Sequence, residues 1–375
     1  MKKTIAVVIA SWNGVIGGTE QHVSFLLNSL PRMGYAVQFI VANRPDDDEF
    51  PGVKVEPLVL QVPGKTGIGG LVARIIKLAH HFRHNPPDLI LAYFPEGEMI
   101  ASIAACMAGM RNRLVGNRRN MGHEYTPRSL WQARLISKLV PRFLTNSAIA
   151  GRVVSAREWI PWNRFSVIYN PFNDRSTISG SDEIITNLPE GCPLIGIVAS
   201  VKPIKNHSLF LDAARELLRS VPDAHFVIVG RALPPDHKRL MAGIEERGLA
   251  LRVHYLGEYA DPLPVIRKLS IGVLCSKSEG LSNALVEYAC MGVPAVATDV
   301  GGNAEVVVHG RTGYLVPPDD AVVLSSRLKE LLENEQLRKD MGYAAQQRAE
   351  ELFSSKSILN QYTTYFSGVL EKASV

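Results

Sequence analysis

The chain has 375 residues, more than a single hydrophobic core usually serves, so we expect two domains. Hydrophobic residues make up 46% and charged residues 21%, a balance that excludes an intrinsically disordered chain. The four cysteines are far apart and form no C-x-x-C pair, which indicates free thiols in a reducing compartment.

Charge is distributed unevenly along the chain. Residues 1–180 contain 21 Lys and Arg against 12 Asp and Glu, a net charge of +9, whereas residues 181–375 contain 20 against 24, a net charge of −4. Between Arg111 and Arg157, ten basic residues accompany one acid, Glu124. Two interpretations stay open: a solvated basic face, or a surface that attracts a polyanion such as an anionic membrane, a lipid diphosphate or nucleic acid.

The amino end carries a short apolar run, Ile5–Ala10, which stops before Trp12 without a small-residue cleavage pattern. We interpret this run as a first β-strand and not as a signal peptide. The longest other uncharged apolar stretch, Met99–Met110, is too short for a bilayer span of about 20 residues. We expect a soluble cytoplasmic protein, with peripheral attachment to the cytoplasmic face of the inner membrane as an additional hypothesis.

The first half alternates strands with helices. Strands are predicted at Ile5–Ala10, Val37–Ala42 and Leu89–Tyr93, and helices at Gln21–Leu30 and Leu71–Phe82. Such alternation is typical of a parallel sheet covered by helices on both faces. We assign residues 1–175 to this N-terminal domain.

The alternation restarts after a polar linker at Asn170–Glu190 and defines a second domain at residues 190–353. The segments predicted there are the strands Leu194–Ala199, Ala224–Val229, Arg252–Tyr255, Ile271–Leu274 and Ala295–Thr298 and the helices Leu209–Leu218, Pro235–Arg247, Pro262–Leu269, Ala284–Met291, Ala321–Glu333 and Gln336–Leu352. A last helix in residues 354–375 is expected to pack back on the first domain. The fold class is therefore α/β, with two Rossmann-like doubly wound domains facing a cleft and ligands beyond the carboxyl ends of the strands.

The most informative motif is Ser278–Glu287, directly after the strand Ile271–Leu274. Glu279 lies in the predicted loop, Gly280 permits close backbone approach, and Ser282 or Asn283 can cap the next helix. Carboxylates accept hydrogen bonds from hydroxyls, and a helix N-terminus binds phosphate, so the motif suits a ligand with both groups. A capped helix with two surface glutamates is the open alternative.

This motif and its surroundings resemble the retaining glycosyltransferase family 4 (glycosyl transferases group 1), which has the GT-B fold. The resemblance rests on two glutamates separated by seven residues, Glu279 and Glu287, and on further segments that match the family pattern. Those segments are Gly292–Gly302, His309–Pro317, Val198–Asn206, Val229-Gly230, Val167–Asn173 and Gly17–Glu20. The match is specific over residues 195–350 and looser over the first 170.

The resemblance implies that residues 1–175 bind the acceptor and residues 190–353 bind the donor, and it implies a role for each matching residue. Glu287 would bind the ribose hydroxyls of a nucleoside diphosphate, and Glu279 would contact hydroxyls of the donor sugar. Lys205 would neutralise the departing diphosphate, and backbone amides at Leu281–Asn283 would add hydrogen-bond donors. The glycine-rich turns at Gly17, Gly18 and Gly230 complete the predicted donor site.

Two positions depart from the family pattern. Ser200 stands where many relatives have an arginine, and Lys202 is expected to supply that second cation. Arg118 stands where many relatives have a histidine that faces the donor sugar, and we place it among the catalytic residues with Glu279 and Lys205. The alternative that Arg118 and Arg119 are surface residues stays open.

The resemblance implies transfer from a UDP-hexose or UDP-N-acetylhexosamine to a glycan, on a polyprenyl diphosphate or another carrier, in bacterial surface polysaccharide assembly. No cofactor and no metal are expected, since Asp46-Asp47-Asp48 lies in a polar loop and no other acidic motif suggests a divalent ion. A sugar-nucleotide epimerase and a non-catalytic nucleotide-sugar binding protein are the alternatives. Nucleic acid is not expected as a partner because aromatic residues are not interleaved with the basic ones.

A basic amphipathic helix is predicted within Arg128–Phe143. It would place Trp131, Leu135 and Leu139 at fourfold spacing, with Arg134, Lys138 and Arg142 beside them. Such a helix can lie on an anionic membrane surface, and an ordinary helix packed on the first sheet is the alternative.

Overall fold

The computed structural model describes residues 2–12, 18–43, 50, 53–64, 66–119, 125–172, 188–259 and 261–372. The chain forms two compact units, Met1–Asn170 with Ile358–Val375 and Pro171–Ser357. Gly17, the Asp46–Asp48 segment and most of the predicted linker lie outside the described residues.

The N-terminal unit contains a parallel sheet of seven described strands in the order β3-β2-β1-β4-β5-β6-β7. The strands are β1 Thr4–Ile9, β2 Ala36–Val41, β3 Pro57–Val59, β4 Leu89–Ala92, β5 Leu114–Arg118, β6 Arg142–Thr145 and β7 Phe165–Val167. The strand order reverses between β1 and β4, which makes that edge the expected ligand position. Ile5–Ile9 of β1 are fully buried because helices cover both sheet faces.

The described helices of this unit are α1 Gly18–Ser29, α2 Gly67–His84, α3 Pro95–Met107, α4 Pro127–Ser137 and α5 Ala148–Glu158. Local capping sets two of their starts, since the Thr126 hydroxyl accepts from Ser129 N–H at 3.2 Å and the Ser147 hydroxyl accepts from Ala150 N–H at 3.0 Å.

The predicted helix over residues 128–143 is wrong at its carboxyl end. Helix α4 ends at Ser137, Val140 is buried, and Arg142 begins strand β6, which pairs with β5. The intervening Pro141 cannot continue a helix because its ring blocks the turn before it. Leu139 and Arg142 therefore do not belong to the amphipathic surface of α4.

The second unit repeats the architecture with a parallel sheet of six described strands in the order β10-β9-β8-β11-β12-β13. The strands are β8 Leu194–Val198, β9 His225–Val229, β10 Val253–Gly257, β11 Ile271–Leu274, β12 Ala295–Thr298 and β13 Gly313–Val316. The helices are α6 His207–Leu217, α7 Pro234–Glu246, α8 Leu263–Ile266, α9 Asn283–Cys290, α10 Asn303–Val306, α11 Ala321–Glu333 and α12 Glu335–Phe353. The predicted α/β class with two doubly wound sheets is confirmed.

The last helix, α13 Ser355–Lys372, contributes to the core of the N-terminal unit. Its apolar face carries Ile358, Tyr362 and Phe366 at fourfold spacing, and all three side chains are fully buried. The Tyr362 hydroxyl and the His22 Nε2 lie 2.9 Å apart, and burial lowers the pKa of His22 well below its usual value. Both ends of the sequence thus build one hydrophobic core.

Candidate functional site

The second unit brings two predicted segments together at the point where its strand order reverses. Strands β8 and β11 are neighbours, so the loops that follow them emerge side by side at the carboxyl edge of the sheet. The backbone N–H of Lys277 donates to the Ile204 carbonyl at 2.8 Å and joins the two loops. Residues more than 70 positions apart in sequence therefore share one site.

Lys205 and Glu279 form an ion pair within this site. The Lys205 Nζ donates to Glu279 Oε1, and the Ser276 hydroxyl donates to the same oxygen at 2.6 Å. The Glu279 side chain is 9% exposed and that of Lys205 is 23% exposed, so little water screens the pair. The arrangement holds an ammonium group at a fixed position with part of its surface open.

The loop that carries Glu279 is held by the turn after β12. Gly301 has φ 52°, and a side chain there would overlap the Glu279 carbonyl oxygen, which explains the glycine. The Gly302 N–H donates to that carbonyl at 3.3 Å, and the Thr298 hydroxyl donates to the Ser276 carbonyl at 2.6 Å. The backbone of the Glu279 loop is therefore positioned by contacts from β12 and from the turn that follows it.

Helix α9 begins directly after this loop. Ser282 is its N-cap, since its hydroxyl accepts from Leu285 N–H at 3.4 Å, while Asn283 is the first helical residue. Leu281 and Ser282 are buried, Gly280 and Asn283 are half-buried, and the N-terminal end of the helix carries the backbone donors that suit a phosphate. Glu287 follows one turn into the helix and is half-buried.

Tyr288 anchors this helix to the sheet. Its hydroxyl accepts from the backbone N–H of Val198 at 2.8 Å and donates to the Gly196 carbonyl at 3.3 Å. A side chain at Gly272 would overlap the Tyr288 ring, so the glycine in β11 makes room for it. Sequence reasoning missed Tyr288 and Thr298 because their partners are distant in sequence, and it missed Ser276 although its partner Glu279 is only three residues away.

The other predicted donor residues surround the loop after β8. Ser200 is half-buried, and Lys202 is exposed at the start of the turn that carries Lys205. Gly230 directly follows β9 and has φ 152°, and a side chain there would overlap the Ala199 carbonyl. Gly18, by contrast, begins α1 in the N-terminal unit and is exposed.

Arg118 occupies a buried ionic cluster in the N-terminal unit. Its Nε donates to Glu158 Oε1 at 2.9 Å, its Nη2 donates to Glu98 Oε1 at 2.8 Å and Glu158 Oε2 at 2.7 Å, and its Nη1 contacts Glu98 Oε2. Gly116 leaves the space that the Glu98 carboxylate fills. The alternative that Arg118 is a surface residue is wrong, since it is only 8% exposed. Its catalytic role stays a prediction, and all three nitrogens already bond to the protein.

The described residues contain neither a membrane-spanning helix nor a cluster of metal ligands. No described helix is both long and apolar enough to span a bilayer. Within the same residues, no group of three or more His, Cys, Asp or Glu side chains could hold a metal ion.

Two family profiles match the chain. The profile "Glycosyl transferases group 1" matches residues 181–348, and the profile "Glycosyltransferase Family 4" matches residues 16–175. The first falls on the unit with the Lys205–Glu279 pair, and the second falls on the N-terminal unit.

Curated relatives and solved structures are similar over different lengths. The N-acetyl-alpha-D-glucosaminyl L-malate synthase of Bacillus anthracis is 28% identical over 173 residues, 46% of this chain and 45% of that protein. The Vi polysaccharide biosynthesis protein VipC/TviE of Salmonella typhi is 26% identical over 297 residues, 75% of this chain and 49% of that protein. The chain thus spans about half the length of these relatives.

Structural similarity extends over both units. The crystal structure of Anabaena Alr3699/HepE in complex with UDP has a TM-score of 0.80 and 21% sequence identity, covering 98% of this chain and 100% of that one. At this identity the similarity concerns the fold.

Proposed function

Because the chain belongs to glycosyltransferase family 4 and has the GT-B fold, we propose that it transfers a sugar from a nucleoside diphosphate to a carbohydrate acceptor. The observation that carries this proposal is the Lys205–Glu279 pair beside the N-terminus of α9. A cation, a carboxylate and the backbone donors of a helix N-terminus suit a ligand that combines sugar hydroxyls with a diphosphate.

The donor we propose is a UDP-hexose or a UDP-N-acetylhexosamine. The UDP complex of the Anabaena protein supports a uridine nucleotide in a fold of this kind. In this chain, Glu287 would accept hydrogen bonds from the ribose hydroxyls. Lys205, Lys202 and the backbone amides at Leu281–Asn283 would bind the diphosphate. The name of the Salmonella typhi relative supports a place in polysaccharide biosynthesis.

The proposed reaction retains the configuration at the anomeric carbon. The bond from that carbon to the β-phosphate oxygen breaks, and the acceptor hydroxyl oxygen forms a new bond on the same face. The acceptor proton passes to the departing phosphate oxygen, so UDP leaves with the electron pair. Negative charge grows on the diphosphate as the bond breaks, and fixed donors at Lys205 and the α9 N-terminus stabilise it.

An assay with a panel of UDP- and GDP-sugars tests this function. We expect release of nucleoside diphosphate that depends on a saccharide acceptor, together with a product whose anomeric configuration by NMR equals that of the donor. Epimerised donor without release would instead identify an epimerase, and donor binding without turnover would identify a binding protein.

We also propose that the N-terminal unit contacts an anionic membrane that carries a lipid-linked acceptor, at the cytoplasmic face. A basic aromatic surface supports this, formed by Arg128, Trp131, Leu135, Lys138 and Trp159. Trp131, Leu135 and Trp159 are 58%, 50% and 67% exposed, although tryptophan and leucine are usually buried. Aromatic rings next to basic groups favour the interface between anionic headgroups and acyl chains.

Arg128 lies on α4 and Lys138 directly follows it, and both side chains are exposed. Replacing both with Gln is expected to weaken binding to phosphatidylserine vesicles about tenfold or more, since each basic residue near such a surface contributes about 1 kcal/mol. Vesicle sedimentation measures the change. The control removes two exposed charges from the other unit, Lys238→Gln with Arg267→Gln, and should bind like wild type. Equal binding by both double variants would refute the proposed surface.

A further inference from the structure

A cavity of about 270 Å³ lies within the N-terminal unit, beside the carboxyl ends of β4 and β5. It is lined by Tyr93 and Phe94, which follow β4, by Asn117 of β5 and Arg119 directly after it, and by Ser129 and Gln132 of α4. The volume is near the lower end of the range for ligand pockets, which begins at roughly 300 Å³. The cavity adjoins β4, the strand beside which the order of this sheet reverses.

Three buried polar atoms of the cavity lining have no hydrogen-bond partner among the residues that the structure describes. They are the Tyr93 hydroxyl, the Asn117 Oδ1 and the Arg119 Nε. The Asn117 amide nitrogen is engaged, since it donates to the Ala92 carbonyl at 3.1 Å, so its oxygen is held facing away from that bond. Buried polar groups are nearly always bonded, and three exceptions on one cavity indicate a ligand that supplies the missing partners.

Among the described residues, the ionic groups near the cavity are paired, with one exception. Arg118 bonds to Glu98 and Glu158, and Arg74 donates to Glu96 at 2.8 Å. Burial raises the pKa of Glu98 above its usual value, and the Arg118 guanidinium opposes that rise. Burial alone would raise the pKa of Glu158, but its bonds to Arg118, Ser137 and Tyr125 lower it.

Arg119 is the exception. Its Nη2 contacts the Asn170 Oδ1, and its guanidinium also bonds to the Tyr362 hydroxyl, whose pKa burial raises to about 12. Both partners are neutral at pH 7. No carboxylate among the described residues bonds to Arg119. A half-buried guanidinium without a counter-charge favours an anion in the cavity.

Backbone strain marks the same place. Phe94 follows β4 with φ 61° and ψ 150°, a conformation that is nearly restricted to glycine. Strain of this kind persists only where surrounding structure enforces it, and it concentrates at ligand sites. The strained residue lines the cavity next to Tyr93.

We propose that this cavity binds the acceptor saccharide through an anionic group, a carboxylate or a phosphate, which pairs with Arg119 while saccharide hydroxyls bond to Tyr93 and Asn117. The inference rests on the proposed function, since it specifies the chemistry of the acceptor. A uronic acid would supply the carboxylate, and a sugar phosphate or a lipid-linked glycan would supply the phosphate.

Calorimetry on the full chain, without a donor, tests the proposal with three probes: methyl glucoside, methyl glucuronide and glucose 1-phosphate. We expect at least one anionic probe to bind roughly tenfold or more tightly than the neutral glucoside. Preference for the glucuronide identifies a carboxylate source, and preference for the phosphate identifies a phosphorylated source. Equal affinities, or binding by none of the three, would overturn the proposal.

Arg119→Gln should abolish the preference for the anionic probe, whereas Arg32→Gln, which removes an exposed charge from the same unit, should keep it. Thermal melting without ligand separates binding from structure. Melting must establish that Arg119→Gln is folded, since the substitution removes an uncompensated charge and also the bonds to Asn170 and Tyr362. A folded Arg119→Gln protein that keeps the wild-type preference for the anionic probe would contradict the proposal.

If Arg119→Gln does not fold, the preference for the anionic probe is measured with Arg119→Lys, because that substitution keeps the positive charge and removes the Nε. The preference should then survive but fall, and a preference equal to that of wild type would overturn the proposal. UDP affinity is measured separately on the same samples. A wild-type protein that binds the anionic saccharide but not UDP would refute the proposed function and support saccharide binding in the cavity. A wild-type protein that binds UDP but none of the saccharides would refute only saccharide binding in the cavity.

Discussion

Sugar transfer by Lys205→Ala is expected to fall by about a hundredfold to a thousandfold, a loss of about 2.7–4 kcal/mol in stabilisation of the departing diphosphate. The ammonium is held in place by Glu279 and keeps 23% of its side chain exposed, so it can meet a phosphate oxygen. Its interaction strengthens as charge grows on the leaving group, and the effect should therefore appear in kcat. Steady-state kinetics with the preferred donor measures it.

The matched control is Lys238→Ala, which removes an exposed lysine from α7 of the same unit. It should transfer sugar at the wild-type rate. Circular dichroism must show that Lys205→Ala is folded, since the substitution also leaves a carboxylate without its cation. A folded Lys205→Ala protein with unchanged kcat would exclude the diphosphate role.

Glu279→Gln is expected to lower transfer by about a hundredfold or more. The substitution keeps the size of the side chain but replaces the carboxylate that accepts from Lys205 and Ser276. A neutral amide no longer fixes the ammonium, and it also weakens the hydrogen bonds that a carboxylate accepts from sugar hydroxyls. The measurement is kcat/KM for the donor.

Glu350→Gln, an exposed substitution on α12, provides the comparison and should leave kcat/KM unchanged. UDP affinity offers a second readout. If Glu279 contacts the sugar and not the nucleotide, Glu279→Gln should bind UDP within a few-fold of wild type. Near-normal transfer by folded Glu279→Gln would show that the sugar is bound elsewhere.

The loops that form the candidate donor site were predictable, because each loop follows a strand with a clear apolar pattern. Strand β11 was predicted at its observed bounds, Ile271–Leu274, which placed Glu279 in a loop at the carboxyl edge. Strand β8 was predicted one residue too long, which still placed Lys205 beyond its end. Parallel topology then requires neighbouring strands to present such loops together.

The supporting contacts were not predictable because they join distant positions. In the sequence pattern, Tyr288 is indistinguishable from the other apolar residues of its helix. Its hydroxyl nevertheless bonds to the backbone of β8, 90 positions away. Arg118 was predicted to be a catalytic residue, with a surface arginine as the open alternative, and neither interpretation indicated the buried ionic cluster that it forms. Its two carboxylates, Glu98 and Glu158, come from helices that the sequence pattern did not identify.

The central claim is that a nucleoside diphosphate binds at the N-terminus of α9, against Lys205 and between the two glutamates of the motif. A crystal structure of the protein soaked with UDP tests it most directly. The account predicts diphosphate density within hydrogen-bonding distance of the backbone amides at Leu281–Asn283, with the ribose at Glu287. Nucleotide bound elsewhere, with this helix end left in contact with water alone, would contradict it.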